Sequence, residues 1–473
     1  MKIYTRNEYI KDLPERYSDP IVGRNEELER FKDFLKNDDY VFLCYGVDGV
    51  GKTRLFIEFA KILEDTDWRG FFLAKDLVNF EEVARELSSD INKLILFIDD
   101  AQIYEPIIWN SIDRIREKFE KVKMVINCRT LYKDEIEIHL KNANIFINPI
   151  ELKPISKEGL TKILENLLPD FKLSENDKDK IINIAQGIPI YAKIAVGYVL
   201  ATEGSVDLAE GNGWRASLRA TSGESIAEIT TKEELIEKVY SPRLEKLQFI
   251  FPYNYKKKLN LLHHLAVSGG INTEIEKNYH GDLYHDLGLL KNNGYICGDH
   301  YTPCPDLFIG YLINQLVNSN QWTFTLHPSI HSLNSILIAY DQSLNKKNYE
   351  EVLKICIQKL QTMDYIDCTD FRSLLTPFYA ILRIHFAIKA EWLKEKINNN
   401  WLIEVYEKCK ETTDKEILST ISNNMGLIFY ELKKYYESEE WYIKAWNLRE
   451  YLKDKGAYVA NNYGLLLYKT KKY

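Results

Sequence analysis

A run of glycines followed by a lysine and a threonine is the part of this chain with the clearest chemistry. Residues 46–53, GVDGVGKT, fit the pattern G-x-x-x-x-G-K-[ST]. An apolar, β-prone stretch at residues 40–45 precedes the run and a helical pattern follows it, so the glycines form a strand–loop–helix turn. Backbone N–H groups of such a turn point at phosphate oxygens, and the helix dipole adds attraction. The predicted nucleotide-binding residues of this loop are Gly46, Asp48, Gly49, Val50, Gly51, Lys52, Thr53 and Arg54.

Two residues of the loop and two acidic residues downstream are predicted to handle the phosphates, the metal and the attacking water. Lys52 is expected to reach the β- and γ-phosphates, and the Thr53 hydroxyl is a predicted Mg²⁺ ligand. Residues 94–98 form a solid apolar run, typical of a strand buried on both faces of a parallel sheet, and Asp99 and Asp100 end it. At the carboxyl end of that strand, Asp99 would hold Mg²⁺ and Asp100 would orient and activate the attacking water.

A third apolar strand also ends in polar residues. Residues 123–127 run directly into Cys128 and Arg129. Arg129 is placed to sense the γ-phosphate, with Asn127 as a weaker candidate, and a surface ion pair is the alternative for Arg129. The predicted catalytic residues are therefore Lys52, Asp100 and Arg129, and the predicted metal ligands are Thr53 and Asp99.

With two further segments, these motifs make the chain resemble the STAND class of P-loop ATPases, relatives of AAA+ proteins. The class includes plant and animal NB-ARC immune receptors and bacterial antiphage and regulatory switches. IVGRNEEL at residues 21–28 resembles its VGR motif, and GIPI at residues 187–190 resembles its GLPLA motif, although an ordinary helix-breaking turn is the alternative for GIPI. The resemblance implies ATP or ADP with Mg²⁺ as cofactors and a γ-phosphate-sensing role for Arg129. It also implies an adenine site bracketed by Val22, Gly23, Arg24 and Pro189.

The order of elements predicts an α/β P-loop domain followed by helices. Candidate strands and helices alternate up to residue 150, which indicates a parallel sheet with helices on both faces. The last predicted strand covers residues 144–149, and the chain is helical afterwards. The predicted division is a lead-in at 1–20, a P-loop nucleotide-binding domain at 21–150, a helical lid at 151–245, a winged helix at 246–325 and repeats similar to tetratricopeptide repeats (TPR-like) at 326–473.

Residues 255–316 have the order helix, helix, β-wing, helix that is typical of a winged helix. On its own this order suggests DNA binding. The candidate recognition helix, residues 282–290, carries two Asp and no Arg or Lys. We therefore expect a structural module, and nucleic acid is not an expected partner.

The last third of the chain contains an internal repeat. Residues 423–435 (NNMGLIFYELKKY) recur as residues 461–473 (NNYGLLLYKTKKY), a period of about 38 residues that resembles a tetratricopeptide repeat. Stacked helix pairs of this kind form a concave surface for a protein or peptide ligand, and an irregular helical spacer is the alternative. Because a solenoid normally ends in a capping helix, we expect further repeats beyond residue 473.

Composition limits the cellular setting. A net charge of −8 argues against a chain-wide nucleic-acid surface. No apolar run approaches the roughly 20 residues needed to span a bilayer, so no membrane partner is expected. The seven cysteines are scattered without a C-x-x-C pair, which predicts reduced thiols and a cytoplasmic location.

Together, the motifs and the resemblance predict a nucleotide-driven signalling switch. ADP would hold the domains closed, and a ligand on the repeats would loosen them. ATP exchange would then allow homo-oligomerisation, and slow ATP hydrolysis would reset the switch. Antiphage defence is a setting that the resemblance implies. The alternatives are a STAND-type transcription regulator, a constitutive AAA+ ATPase such as a nucleic-acid loader, and a non-catalytic TPR scaffold.

Overall fold

The structure is a computed structural model that describes most of the chain in sections. The tip of the predicted wing (residues 298–301) and residues 203–225 of the predicted lid lie outside them. The described residues are 3–11, 21–74, 80–88, 91–104, 108–109, 112–142, 145, 147–167, 173–202, 226, 229–268, 276, 279, 282–292, 295–297, 302–303, 306–318, 330–342, 346–362, 371–389, 391–396, 399–412, 415–451 and 456–471.

A six-stranded sheet carries the loops with predicted chemistry. Its spatial order is β1-β3-β4-β5-β2-β6, and every neighbouring pair is parallel except β1 with β3, which is antiparallel. Because β5 lies between β2 and β4, the carboxyl ends of these three strands lie side by side. The strands are β1 (Ile3–Tyr4), β2 (Val41–Gly46), β3 (Arg69–Leu73), β4 (Lys93–Ile98), β5 (Lys121–Arg129) and β6 (Ile150–Glu151).

The central strands form because their residues are apolar on both faces. β4 is buried from Leu94 to Ile98, and β5 is buried from Lys123 to Arg129. Helices cover both sides of such a sheet, which is why the two runs are apolar throughout rather than alternating. The predicted α/β P-loop fold with a mostly parallel sheet is confirmed.

The predicted strand at residues 144–149 is wrong. Residues 147–149 have no strand conformation, and the last strand, β6, begins at Ile150, where it pairs with Cys44 of β2. The apolar residues of the segment suggested a strand, but Pro149 has no N–H to donate to the ladder. Pairing therefore begins only after the proline.

Helices flank the sheet on both faces. A cluster of buried phenylalanines fixes the helix that follows the glycine-rich loop: the Phe31 and Phe59 rings stack with 4.2 Å between centroids, and both meet the Phe42 ring edge-on. The helices of this part are α1 (Arg6–Lys11), α2 (Asn25–Lys36), α3 (Lys52–Ile62), α4 (Phe80–Glu86), α5 (Ile112–Lys118) and α6 (Lys133–Asn142), with 3₁₀ turns at Leu63–Asp65, Ala101–Ile103 and Thr130–Tyr132.

The rest of the described chain is helical, apart from one short hairpin in which β7 (Ile296–Cys297) pairs antiparallel with β8 (Thr302–Pro303). None of the helices in the described residues is long and apolar enough to cross a membrane. The helices are α7 (Lys157–Leu167), α8 (Glu175–Ala185), α9 (Pro189–Thr202), α10 (Lys232–Ile250), α11 (Tyr255–Ser268), α12 (Leu283–Asn292), α13 (Asp306–Asn318), α14 (Ile330–Gln342), α15 (Lys346–Thr362), α16 (Phe371–Ile388), α17 (Glu391–Lys396), α18 (Asn399–Thr412), α19 (Lys415–Glu431), α20 (Tyr435–Asn447) and α21 (Gly456–Thr470).

One continuous cluster of buried apolar side chains joins the sheet to these helices. It includes Leu96 in β4, Ile136 in α6 and Ile381 in α16. α14 and α16 pack directly on the loops and the helix that follow β4 and β5. The C-terminal helices therefore share a core with the α/β part.

The two copies of the sequence repeat begin in α19 and α21. Gly426 in α19 lies against the ring of Tyr442 in α20, and its carbonyl accepts a hydrogen bond of 2.7 Å from Ser438. A methyl group at Gly426 would lie 2.5 Å from that ring, whereas one at the equivalent Gly464 would meet no atom within 4 Å. Within the described residues, close packing requires the glycine of the first copy.

This difference gives a matched pair of substitutions. We expect Gly426→Ala to weaken the packing of α19 on α20 by about 1–3 kcal/mol, because the added methyl displaces the Tyr442 ring. Gly464→Ala should stabilise its helix by up to about 1 kcal/mol, since alanine is the better helix former. Hydrogen exchange of amides in residues 415–447 measures the first effect. Equal protection in the two variants would contradict the packing at Gly426.

Candidate nucleotide-binding site

The glycine-rich loop connects β2 to α3 as the motif requires. Gly49 has φ +73° and Gly51 has φ +102°. Residues other than glycine rarely adopt these positive φ angles. Gly51 immediately precedes the first residue of α3, Lys52. The loop therefore ends at a helix N-terminus, with its amides and the helix dipole available to one anion.

Lys52 is buried, with 6% of its surface exposed, although it carries a charge. Its Nζ donates to the carbonyl oxygens of Gly46 at 3.1 Å and Val47 at 3.0 Å, both in the loop itself. These bonds keep the ammonium over the loop, where phosphates would replace the carbonyls as partners. A buried lysine with this orientation fits a nucleotide site.

The Asp99 carboxylate lies beside the Thr53 hydroxyl. Thr53 Oγ1 donates to Asp99 Oδ2 at 2.9 Å, so both predicted metal ligands face the same point. Asn127 Nδ2 also donates to Asp99 Oδ1, and the Tyr9 hydroxyl donates to Oδ2 at 2.5 Å. Burial, followed by the charge of Asp99, raises the pKa of the Tyr9 phenol well above its usual value, so this phenol stays a donor.

Asp100 has a left-handed backbone, with φ 53° and ψ 55°. Its N–H donates to Asn127 Oδ1 at 2.9 Å, and its own Oδ1 accepts from Gln102 Nε2 at 3.0 Å. Asp99 bonds to Thr53 whereas Asp100 bonds to Gln102, so the two adjacent carboxylates have different partners. Asn127, the weaker candidate for sensing the γ-phosphate, bonds to both acidic residues.

The structure places Arg129 at the glycine-rich loop. Its Nη1 lies 3.2 Å from Asp48 Oδ2, and the arginine side chain is 3% exposed. Its backbone N–H donates to Gln102 Oε1 at 3.3 Å. The register of the sheet explains the placement, because Arg129 pairs with Gly46 at the end of β2. The guanidinium of this ion pair is buried, whereas its partner Asp48 is 21% exposed.

The segments that carry the predicted adenine contacts meet at the same edge of the sheet. Ile190 N donates to Gly49 O at 3.4 Å, so the start of α9, at Pro189, lies on the glycine-rich loop. The Ile155 N–H bonds to Gly187 O at 2.7 Å, and Gly23 packs near the Ile155 side chain. Val22 likewise lies near this segment, close to Gly159.

The two arginines of the predicted binding set are in different environments. Arg24 is 4% exposed and donates to the Val50 carbonyl at 2.9 Å and to Glu27 at 3.0 Å. Arg24 therefore stabilises the glycine-rich loop through the Val50 carbonyl. Arg54 pairs with Glu58 one turn along α3, at 2.6 Å.

Three residues of the site had not been predicted to act in it. Tyr9 comes from the lead-in helix and reaches Asp99; Gln102 contacts Asp100 and Arg129; and Asn334 of α14 donates to the Gln102 carbonyl at 2.7 Å. Gln102 had a signal, because it follows the two acidic residues after β4. Tyr9 and Asn334 had none, since their sequence separations from the site are large.

The residues fit a magnesium nucleotide. The Thr53 hydroxyl and the Asp99 carboxylate supply two oxygen ligands 2.9 Å apart, and phosphate oxygens and water would complete the octahedron that Mg²⁺ requires. Across the part of the chain that the structure describes, no group of three or more His, Cys, Asp or Glu could hold a metal by itself. The metal site is therefore of the kind that needs the nucleotide.

The chain is similar to known proteins over part of its length. No protein-family model matches the chain. The chain is similar to the replication factor C small subunit of Picrophilus torridus, with 24% identity over 225 residues, 42% of this chain and 68% of the relative. It is also similar to the replication factor C small subunit of Methanococcus maripaludis, with 26% identity over 189 residues, 35% of this chain and 59% of the relative.

Two solved structures show a weaker likeness. The Walker-type ATPase of Pyrococcus abyssi has 15% identity and a TM-score of 0.34, with 64% of this chain and 98% of that chain covered. Cdc6p of Pyrobaculum aerophilum has 16% identity and a TM-score of 0.33, with 68% and 100% covered. At these TM-scores the two likenesses carry no argument. The assignment rests on the strand order, the glycine-rich loop and the curated relatives. The chain is an ATPase with the AAA+-type P-loop fold, and its cofactors are ATP or ADP and Mg²⁺.

Substitutions at Lys52 and Asp100 separate binding from hydrolysis. We expect Lys52→Ala to weaken ATP binding at least about 100-fold, because the charge-assisted phosphate contact is lost. Asp100→Asn should keep binding and slow turnover by about 10²–10⁴-fold, since an amide cannot take the proton of the attacking water and asparagine tolerates the left-handed backbone. Fluorescent-nucleotide titration and phosphate release measure the two effects. The exposed Lys61→Ala on the same helix is the control, and unchanged ATP affinity in Lys52→Ala would contradict the site.

A conservative change at Tyr9 tests its bond to Asp99. Tyr9→Phe keeps the ring stacked on Phe72, with 4.1 Å between centroids, and removes only the hydroxyl. We expect the Mg²⁺-dependent part of nucleotide affinity to fall about tenfold, because the carboxylate predicted to bind the metal loses an orienting donor. Binding without Mg²⁺ should be unchanged. Tyr104→Phe is the control, since that buried hydroxyl bonds to Leu73 O at 3.2 Å; equal Mg²⁺ dependence in both variants would exclude an orienting role for Tyr9.

Proposed function

We propose that the chain is a STAND-type signalling switch that exchanges ADP for ATP, hydrolyses ATP slowly and assembles into homo-oligomers when a ligand engages its C-terminal helices. Antiphage defence is the setting that the resemblance implies. The observation that carries the proposal is the docking of α14 and α16 on the catalytic edge, where Asn334 bonds to Gln102 and Arg383 pairs with Glu135 at 2.9 Å. A ligand that moves these helices must also alter the ATPase site.

The segment 151–245, proposed as the lid, supports a closed state. Its helix α9 begins on the glycine-rich loop, and a methyl group at Gly49 would lie only 2.0 Å from Ile190 Cγ2. Such close packing means that the loop and α9 move together or separate completely. We propose that this contact is kept in the ADP state, with Val22, Gly23, Arg24 and Pro189 around the base.

The segment 246–325 has features of a structural winged helix. Asp286 on α12, the candidate recognition helix, is 8% exposed and bonds to Lys258 on α11 and to the Tyr279 hydroxyl. Its charge is therefore used inside the module. A helix whose acidic group is neutralised internally, and which offers no cation before Lys291, supports a packing role over DNA reading.

The C-terminal helices, proposed as TPR-like repeats, offer a surface for a protein ligand. Asn462 in the second copy donates to Asn423 in the first at 3.2 Å, so a partly buried polar contact joins the two copies. Several large apolar side chains in these helices are exposed, among them Tyr436 at 72% and Tyr468 at 73%. Exposed tyrosines are frequent in protein-binding surfaces because they combine apolar area with a polar tip.

In the proposed reaction each residue of the site has one task. Lys52 and the loop amides bind the β- and γ-phosphates, and Thr53 and Asp99 hold the metal, whose chemistry is to neutralise charge on the phosphates. Asp100 orients the attacking water and accepts its proton. Arg129 stabilises charge at the γ-phosphate, for which it must leave Asp48.

A nucleic-acid-linked AAA+ ATPase is the second candidate. The curated relatives are named as small subunits of a replication factor, so they give no support to the expectation that nucleic acid is excluded as a partner. Assembly with further subunits is common to both proposals. DNA binding whose affinity falls steeply with salt, together with rapid ATP turnover in the absence of any protein ligand, would favour this candidate.

The nucleotide carried by the purified protein distinguishes the two proposals. We expect stoichiometric ADP after denaturation, measured by chromatography, because a closed switch releases ADP slowly. We also expect turnover of added ATP to remain low. An empty site that hydrolyses added ATP steadily would contradict the switch and favour the constitutive ATPase.

A further inference from the structure

A fully buried ion pair joins the C-terminal helices to the ATPase domain. Arg383 on α16 donates from Nε to both carboxylate oxygens of Glu135 on α6 at 3.1 Å, and from Nη2 to Oε1 at 2.9 Å. The residues are 1% and 3% exposed. Burial alone would raise the pKa of Glu135, but Arg383 and His139 outweigh it and hold that pKa at about 2, so the carboxylate is ionised. The pair has one geometry, because a planar guanidinium binds a carboxylate in a fixed orientation.

Asn334 on α14 extends this pair toward the catalytic loop. Its Oδ1 accepts from Arg383 Nη1 at 2.9 Å, and its Nδ2 donates to the Gln102 carbonyl at 2.7 Å. The Tyr132 hydroxyl, in the turn after β5, donates to the Asn334 carbonyl at 3.4 Å. Asn334 therefore bonds to both sides of the interface with both ends of its amide.

Gln102 completes the connection. Its backbone is held by Asn334, while its side chain donates to Asp100 and accepts from the Arg129 N–H. It is 1% exposed. The two groups with proposed roles in hydrolysis are thus bonded to one residue, and that residue is bonded to the C-terminal helices.

Charged groups of the ATPase site also interact with Asp341 on α14, at the same interface. Burial raises the pKa of the Asp341 carboxyl on α14, while Lys346, Arg129 and Lys52 favour its charged form and Asp48 opposes it. An acidic residue of the C-terminal helices is therefore within electrostatic reach of the phosphate-binding cations. Asp48, whose Oδ2 lies 3.2 Å from Arg129 Nη1, competes with a γ-phosphate for the same guanidinium.

We propose that Gln102 is a positioning residue for Asp100 and Arg129, and that Asn334 and Arg383 of the C-terminal helices hold it in the resting position. When the C-terminal helices move away, Gln102 loses its backbone tie, and Asp100 and Arg129 are released toward the γ-phosphate. The connection restrains nucleotide exchange while the helices are docked. This inference rests on the proposed switch and identifies how its sensor region reaches its ATPase site.

The test is the rate at which the full-length protein releases a fluorescent ADP analogue. Asn334→Leu keeps the volume of the side chain and removes its bonds to Gln102 and Arg383. We expect release to become about tenfold faster, because a buried carbonyl and a guanidinium N–H lose their partner. Gln102→Met, which keeps the backbone carbonyl and removes the contacts to Asp100 and Arg129, should have a similar effect.

The double variant shows whether the two residues act in one connection. With Gln102→Met in place, adding Asn334→Leu should change release little further, since the connection is already broken. If the increases in ADP-release rate of the two single variants multiply in the double variant, the proposal is overturned. Multiplied increases are expected when each substitution loosens the interface independently. Hydrogen exchange of residues 99–104 should increase in each variant, a readout that does not depend on hydrolysis.

A control substitution separates this effect from general instability. Asn462→Leu removes an equally buried asparagine, bonded to Asn423 within the C-terminal helices, and should leave ADP release unchanged. If Asn334→Leu fails to fold, replacing both Glu135 and Arg383 by Met removes the ion pair without leaving a buried charge, and faster release is expected again.

The outcomes also separate this inference from the proposed switch. Parental protein that carries ADP, with variants that release it at the parental rate, would overturn the inference and leave the switch standing. Parental protein with an empty site and steady turnover would contradict the switch. In that case an unchanged turnover number in Asn334→Leu would overturn the inference as well.

Discussion

The carboxylate of Asp99 is the point on which the arrangement of the ATPase site depends. Asp99 directly follows β4 and accepts hydrogen bonds from Tyr9 in α1, Thr53 in α3 and Asn127 in β5. A single buried anion therefore fixes the lead-in helix, the helix after the glycine-rich loop and a neighbouring strand relative to one another. Removing a carboxylate from water is costly unless donors surround it, so these elements must pack together for the charge to be tolerated.

The residues whose place in the fold can be predicted from the sequence are those that belong to a local pattern. The glycine spacing with Lys52 requires a strand–loop–helix turn, and an apolar run that ends in Asp99 requires a strand that ends at the ligand edge. Once β5 lies between β2 and β4, Arg129 must face the glycine-rich loop, because parallel strands in register end together.

The residues that were missed depend on packing between distant parts of the chain. Arg383 and Glu135 are 248 positions apart, and neither has a neighbour in sequence that reveals its partner. Tyr9 reads as an ordinary aromatic residue of a short helix until its hydroxyl is seen at Asp99. The strand predicted at residues 144–149 was misplaced because its apolar residues suit a strand, whereas Pro149 cannot donate a backbone hydrogen bond. Backbone pairing therefore begins only after the proline.

The edges of the sheet limit how copies of this protein can associate. Its outermost strands, β1 and β6, have only two residues each, and β1 is antiparallel to its neighbour. Such short edges present few unpaired backbone groups, which is how natural sheets avoid joining edge to edge. In the proposed assembly, copies are therefore expected to meet through side-chain contacts between helical surfaces rather than through the described sheet edges.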